Sequence, residues 1–222
     1  PMPPLKTSIS SPSKTAAKIP ALRSHRLLAI ALEGMLKQLS TRPQNLTSWR
    51  MRLAAQTLEL LEDLCVPNLA PDLANKPLIR LLAVDDCAVN RRSMVFALKK
   101  VFREPDLAEA GAPALVLAKK NAYDAIFLDI DMPGMDGFQL CEKIRQTPLN
   151  RNTPIVFVTS HDNFESRSKL ITKGAQDLIG KPYLPTEIAL KALQLSLQVR
   201  LNPAPPETAP DKPSAEPAAA QS

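Results

Sequence analysis

AIFLDIDMPGMDGF, residues 125–138, is the stretch on which the fold turns. Ala125 to Leu128 is a short apolar run closed by Asp129, of the composition found in strands buried on both faces. A helix-length segment follows at 137–146. The same unit repeats on either side. IRLLAV (79–84), PIVFVT (154–159) and DLIG (177–180) are further apolar runs, and DLAEA (106–110) is a weaker one. Helix-length segments lie at 88–102, 112–120, 163–173 and 184–200. Strict strand–helix alternation predicts a doubly wound parallel sheet with helices on both faces.

Upstream the rhythm is helical. Leu28, Leu32, Met35, Leu36 and Leu39 recur at the spacing of one helix face, with Ser24 as the expected N-cap. STRPQN (40–45) breaks the pattern. A second helix, with Leu53, Thr57, Leu60, Leu61 and Leu64 on one side, runs to about Cys65 and stops at Pro67. Two helices and a short loop make a hairpin over 23–66 whose apolar face needs a further surface. That surface is expected to be a second copy, through residues 24–65 of each chain, or the α/β unit itself. The remaining boundaries are a disordered basic arm (1–22), a linker with prolines (67–77), the α/β unit (78–200) and a disordered Pro/Ala-rich tail (201–222). The tail is too short for a folded effector and carries no helix-turn-helix or zinc pattern, so no nucleic-acid domain is expected. The chain opens Pro1-Met2, as a tag remnant or a piece of a longer protein would.

Of the 222 residues, 45% are hydrophobic and 4% aromatic, and the net charge is +6. Ten basic against five acidic residues stand in 1–76, so the excess is strongest in the hairpin and arm. The charges form no stripe interleaved with aromatics, and on composition they read as a solvated surface. Cys65, Cys87 and Cys141 are an odd number without a CxxC pair, as expected of thiols in a reducing compartment. No apolar run reaches the length of a membrane span, and a cytoplasmic location is expected.

In such a sheet ligands gather at the C-terminal strand ends, where the strand order reverses. There the sequence sets Asp85-Asp86 after the first strand, Asp129 after the third, Thr159-Ser160 at the fourth and Lys181-Pro182 after the fifth. With strand order 2-1-3-4-5 these ends converge. Clustered carboxylates repel, and Lys181 alone does not offset three of them. Mg²⁺, which takes carboxylates, water and phosphate oxygens, fits the deficit. An ionised Asp beside it can attack phosphorus, with the Thr159 hydroxyl and Lys181 ammonium neutralising the phosphoryl oxygens. Taken singly, each residue has a plainer reading: turn former, N-cap, strand former or loop. Their conjunction at four strand ends is what carries the functional reading.

AVDDCAVNR, FLDIDMPGMDGF, VFVTS and KGAQDLIGKP resemble, in order, the signatures of two-component response-regulator receiver domains over about 77–200. The resemblance implies a flavodoxin-like (βα)₅ fold with Asp129 as phosphoacceptor. It implies Asp86 as a direct magnesium ligand, Asp85 acting partly through water, and Asp131 lending its backbone carbonyl. Thr159 and Lys181 would contact the phosphoryl group; Pro133, Gly134 and Gly137 would shape the loop after the third strand. Pro182 would follow a cis bond. The implied donor is a sensor histidine kinase or phosphotransfer protein, and the output an unidentified protein. Self-phosphorylation and autodephosphorylation would be its only chemistry. Two positions depart from the family: Leu178 replaces the usual aromatic, and His161 stands two beyond Thr159.

Two alternatives remain beside this reading. One is a receiver-fold binding module that signals without phosphorylation, against which the complete residue set speaks. The other is a haloacid-dehalogenase-like phosphatase, in which the nucleophile precedes the acidic pair, opposite to the order here. His25 reads as a surface histidine, Arg91 and Arg92 as a solvated face, and Trp49, Met51 and Leu53 as hairpin packing.

Overall fold

The computed structural model describes residues 20–65, 79–99, 101–160 and 176–201. The 163–173 helix, His161, the 67–77 linker, and nearly all of the arm and tail expected from the sequence lie outside these residues.

Five strands form one parallel sheet in the order β2-β1-β3-β4-β5: β1 Leu81–Val84, β2 Asp106–Ala108, β3 Ala125–Leu128, β4 Ile155–Thr159 and β5 Asp177–Gly180. This is the predicted topology. Leu82 pairs with Ile126 and Val84 with Leu128, so β1 and β3 end side by side and open the reversal point between them. Side chains of a strand alternate between faces. Leu82, Val84, Ile126, Leu128 and Phe157 pack under α4 (Gly111–Lys120) and α5 (Gly137–Arg145). Leu81, Ala83, Phe127, Val156 and Val158 pack under α3 (Ala88–Lys99) and α6 (Pro185–Leu201). Helices on both faces explain why β1, β3 and β4 are apolar at nearly every position.

The loop from β3 to α5 requires glycine twice. Gly134 has φ +80°, in the left-handed region, and a side chain on Gly137 would collide with the backbone of Asp129 and Ile130. Asp136 then caps α5, its carboxylate accepting the Gln139 N–H at 2.8 Å.

The hairpin consists of α1 (Pro20–Thr41), a short 3₁₀ turn at Pro43–Asn45 and α2 (Ser48–Leu64), which Thr47 caps. α1 starts four residues before Ser24, which therefore lies within the helix rather than at its cap. Leu28, Leu32, Met35, Leu39, Leu53, Leu60 and Leu64 form one apolar cluster with Leu190, Leu193 and Leu197 of α6. Leu36 and Met51 are exposed instead, because each falls just off the buried stripe. Of the two surfaces that could cover the hairpin, the structure uses the α/β unit. Helix α6 is consequently buried on two sides, by the sheet through Ile188 and Ala192 and by the hairpin through Leu190 and Leu193. Every residue from Glu187 to Leu197 is buried between the two, Glu187, Lys191, Gln194 and Ser196 included.

Candidate functional site

The C-terminal ends of β1, β3 and β5 bring one cation between two acids. Lys181 Nζ donates to Asp85 Oδ2 at 2.8 Å and to Asp129 Oδ2 at 2.7 Å. Both carboxylates are buried, while Asp86 is exposed at the mouth. One carboxylate oxygen from each of Asp85, Asp86 and Asp129 lies within 4.8 Å of the others. Thr159 ends β4, fully buried, and its carbonyl accepts the Lys181 N–H at 2.8 Å. Asp131 is exposed, and its N–H points to Asp129 Oδ1 at 3.4 Å. The peptide bond between Lys181 and Pro182 is cis.

Burial holds the Asp129 carboxyl above the usual carboxylate range; Lys181 opposes this and the charge of Asp85 adds to it. Lys181 is itself held above the usual lysine value. Burial works against its charge, but the hydrogen bonds and charges of Asp129 and Asp85 together outweigh that. Three carboxylates face one ammonium, and a hard divalent cation is the ligand that such an all-oxygen donor set fits.

Several supporting residues carried no signal that the sequence reading used. Asp85 Oδ1 accepts the Cys87 N–H at 2.9 Å and the Asn90 side-chain amide at 3.1 Å, so with Lys181 both its oxygens are engaged. Arg91, expected on a solvated face, turns inward: Nη1 donates to the carbonyls of Asp85 and Asp86 at 2.7 and 2.8 Å. Only Arg92 of that pair is exposed. The difference follows from helix geometry, since Arg91 stands over the preceding turn and can reach its carbonyls. Tyr183 donates to the Asn90 carbonyl at 3.3 Å; burial first, then the charges of Asp85 and Asp129, push its phenol up to about 12. Spacing of AVDDCAVNR was the available clue to Asn90 and Arg91. Tyr183 follows a Lys-Pro turn, and nothing in its neighbours marked it.

Beside the acids, Val89, Asn90, Phe96, Lys181 and Tyr183 line a cleft of about 740 Å³. Val89 and Phe96 are 66% and 58% exposed, an apolar surface next to charged groups. Among the described residues no helix is long and apolar enough to cross a membrane.

The family model for the response regulator receiver domain matches residues 81–193. Response regulator PleD of Caulobacter vibrioides is 38% identical over 103 residues, which cover 46% of this chain and 23% of that protein. Signal transduction histidine-protein kinase BarA of Escherichia coli is 34% identical over 108 residues, 49% of this chain and 12% of that one. The chain thus spans a quarter or less of the length of these relatives. Among solved structures, chemotaxis response regulator CheY4 of Vibrio cholerae has a TM-score of 0.50 at 31% identity, covering 54% of this chain and 98% of that one. The receiver domain of a Pseudomonas aeruginosa sensor histidine kinase, solved with a magnesium ion in its active site cleft, has a TM-score of 0.50 at 26% identity and the same coverages. Fold, strand-end acids and sequence agree, and the chain belongs to the response regulator receiver family.

Proposed function

We propose that this chain accepts a phosphoryl group from a phosphohistidine donor onto Asp129 and signals through the resulting change of surface. The observation that carries the reading is the Lys181 ammonium held between Asp85 and Asp129 at 2.8 and 2.7 Å, in a pocket short of positive charge. An Asp129 carboxylate oxygen attacks phosphorus. The P–N bond of the donor breaks, and its electron pair returns to the imidazole. Lys181 and the Thr159 hydroxyl neutralise the equatorial oxygens of the phosphoryl group. Hydrolysis later breaks the P–O bond to Asp129, releasing phosphate and restoring the carboxylate.

Mg²⁺ held by Asp85, Asp86 and Asp129, with the Asp131 carbonyl, would supply the positive charge on which that transfer depends. The geometry favours Asp86 as the direct ligand: its carboxylate has no partner among the described residues, whereas both oxygens of Asp85 are engaged. The donor, a sensor histidine kinase or phosphotransfer protein, would dock over Val89 and Phe96. Leu178 offers no ring to swing inward, so the shape change rests on Lys181, Thr159 and the loops that carry them.

The test is labelling of the full chain by phosphoramidate with Mg²⁺, read as hydroxylamine-labile phosphate. Asp129→Asn should abolish it. An Asn variant labelled like the wild type would overturn the assignment.

A further inference from the structure

The loop that carries Lys181 is gripped by the hairpin. Arg50, buried in the first turn of α2, serves three acceptors with one guanidinium. Nη1 donates to the Asn45 carbonyl at 2.8 Å, Nη2 to the Pro182 carbonyl at 3.2 Å, and Nε to Glu187 Oε2 at 3.2 Å. The same Glu187 oxygen accepts the Leu184 N–H at 3.2 Å. One side chain of the hairpin therefore ties the residue after Lys181 to the first turn of α6. The Trp49 ring lies under the guanidinium carbon at 4.7 Å, and Thr186 is bonded to Gln38 of α1 at 2.9 Å. Both hold hairpin and loop together at the same place.

A lysine has a flexible four-carbon stem, and its ammonium is placed only as well as its backbone. The Lys181 backbone is held on one side by the Thr159 carbonyl at 2.8 Å. On the other side the restraint on the Pro182 carbonyl is Arg50. Lysine in place of Arg50 has no planar fork with which to serve three acceptors.

We propose that Arg50 is a positioning residue for Lys181: through the Pro182 carbonyl and Glu187 it fixes the loop so that the ammonium meets Asp85 and Asp129, and the hairpin thereby controls phosphoryl acceptance. The control rests on the function proposed above; the positioning stands on geometry alone. The coupling is reciprocal, so a change at Asp129 that draws Lys181 is also felt at Arg50.

Brief acetylation of the full chain, read lysine by lysine by mass spectrometry, tests the positioning. In the wild type Lys181 should react slowly, with exposed Lys37 and Lys99 as internal controls. Arg50→Ala should raise Lys181 labelling roughly threefold or more and leave the controls unchanged, because an untethered ammonium leaves its two acceptors part of the time. The double variant R50M/E187Q keeps the apolar volume and strands no buried charge, so it should fold. It should show the same rise. That separates positioning from mere support, which the neutral pair would still provide. A folded double variant with wild-type Lys181 labelling overturns the proposal.

The phosphoramidate assay completes the test. A misplaced reacting group costs about ten- to a hundredfold in rate, so both variants should label that much more slowly with Mg²⁺ affinity intact. Raised acetylation with an unchanged phosphorylation rate overturns the control by the hairpin. Absence of labelling in the wild type overturns the function itself, and the acetylation arm still decides the role of Arg50.

Discussion

At the sheet end three carboxylates share one ammonium; at the seam between hairpin and α6, one guanidinium meets one carboxylate. Both places bury charge. Arg50 and Glu187 are 6% and 0% exposed, Asp85 and Asp129 0% and 4%. At the seam each charged group faces one opposite partner, Arg50 with Glu187 and Lys191 with Asp177. At the sheet end two negative charges are left over, one of them at an open mouth. Burial of charge thus does not distinguish a site from a strut. An imbalance that a ligand would correct does.

The largest expected effect lies on the unbalanced side. Asp129→Asn should lose hydroxylamine-labile phosphorylation completely while keeping its denaturant midpoint, since the amide fills the same space. A complete loss from R50M/E187Q, beyond the roughly ten- to hundredfold slowing expected of it, would erase the contrast between site and strut.

The seam should respond in stability instead. Leu193→Ala removes a side chain at the centre of the hairpin cluster and should cost about 2–5 kcal/mol in urea unfolding. If the loss stays well below that range, the hairpin packs more loosely on α6 than the geometry implies.

A pH dependence sharpens the comparison further. Among the described residues Glu187 Oε1 is buried without a hydrogen-bond partner, and burial pushes this carboxyl up to about 7 against the opposing pull of the Leu184 N–H, Arg50 and Lys191. The folded value lies above the unfolded one of 4.5. The native state therefore gains stability from the protonated acid below about pH 4.5 and loses it as pH rises through about 7. The change is on the order of 3 kcal/mol at 1.36 kcal/mol for each pH unit of separation. Glu187→Gln should flatten stability between these pH values. A slope identical in wild type and variant would mean that Arg50 keeps the acid ionised throughout.

The smallest effect separates the two acids of the pair. Asp86→Ala should weaken Mg²⁺ binding by about tenfold or more, and Asp85→Ala by less. Calorimetric titration of both variants checks this, and equal losses would contradict the assignment of Asp86 as the direct ligand.

Much of this was legible in the chain. Five apolar runs alternating with helix-length segments require a parallel sheet, because each helix returns the chain to the edge where the last strand began. AIFLD and AVDD set their acids at strand ends because the apolar run marks the strand and the acid follows directly upon it. The convergence of Asp85, Asp86, Asp129 and Lys181 could be read in advance from their places at strand ends, and the specificity of DIDMPGMDG set the family. Local sequence determines such features, since period, turn chemistry and strand ends are properties of neighbouring residues.

Tertiary structure decided the rest. Leu28, Met35 and Leu53 announce an apolar face without saying what covers it; only the assembled chain sets Leu193 and Leu197 of α6 against them. Arg50 lies 132 residues from Pro182 and 137 from Glu187 along the chain, and no local pattern links an arginine in a helix to a loop so distant. Arg91 and Arg92 are alike as letters, and the turn of α3 alone sends one to the acidic pair and the other to solvent. Contacts between distant segments depend on how whole faces pack, and a sequence read locally carries the faces but not their partners.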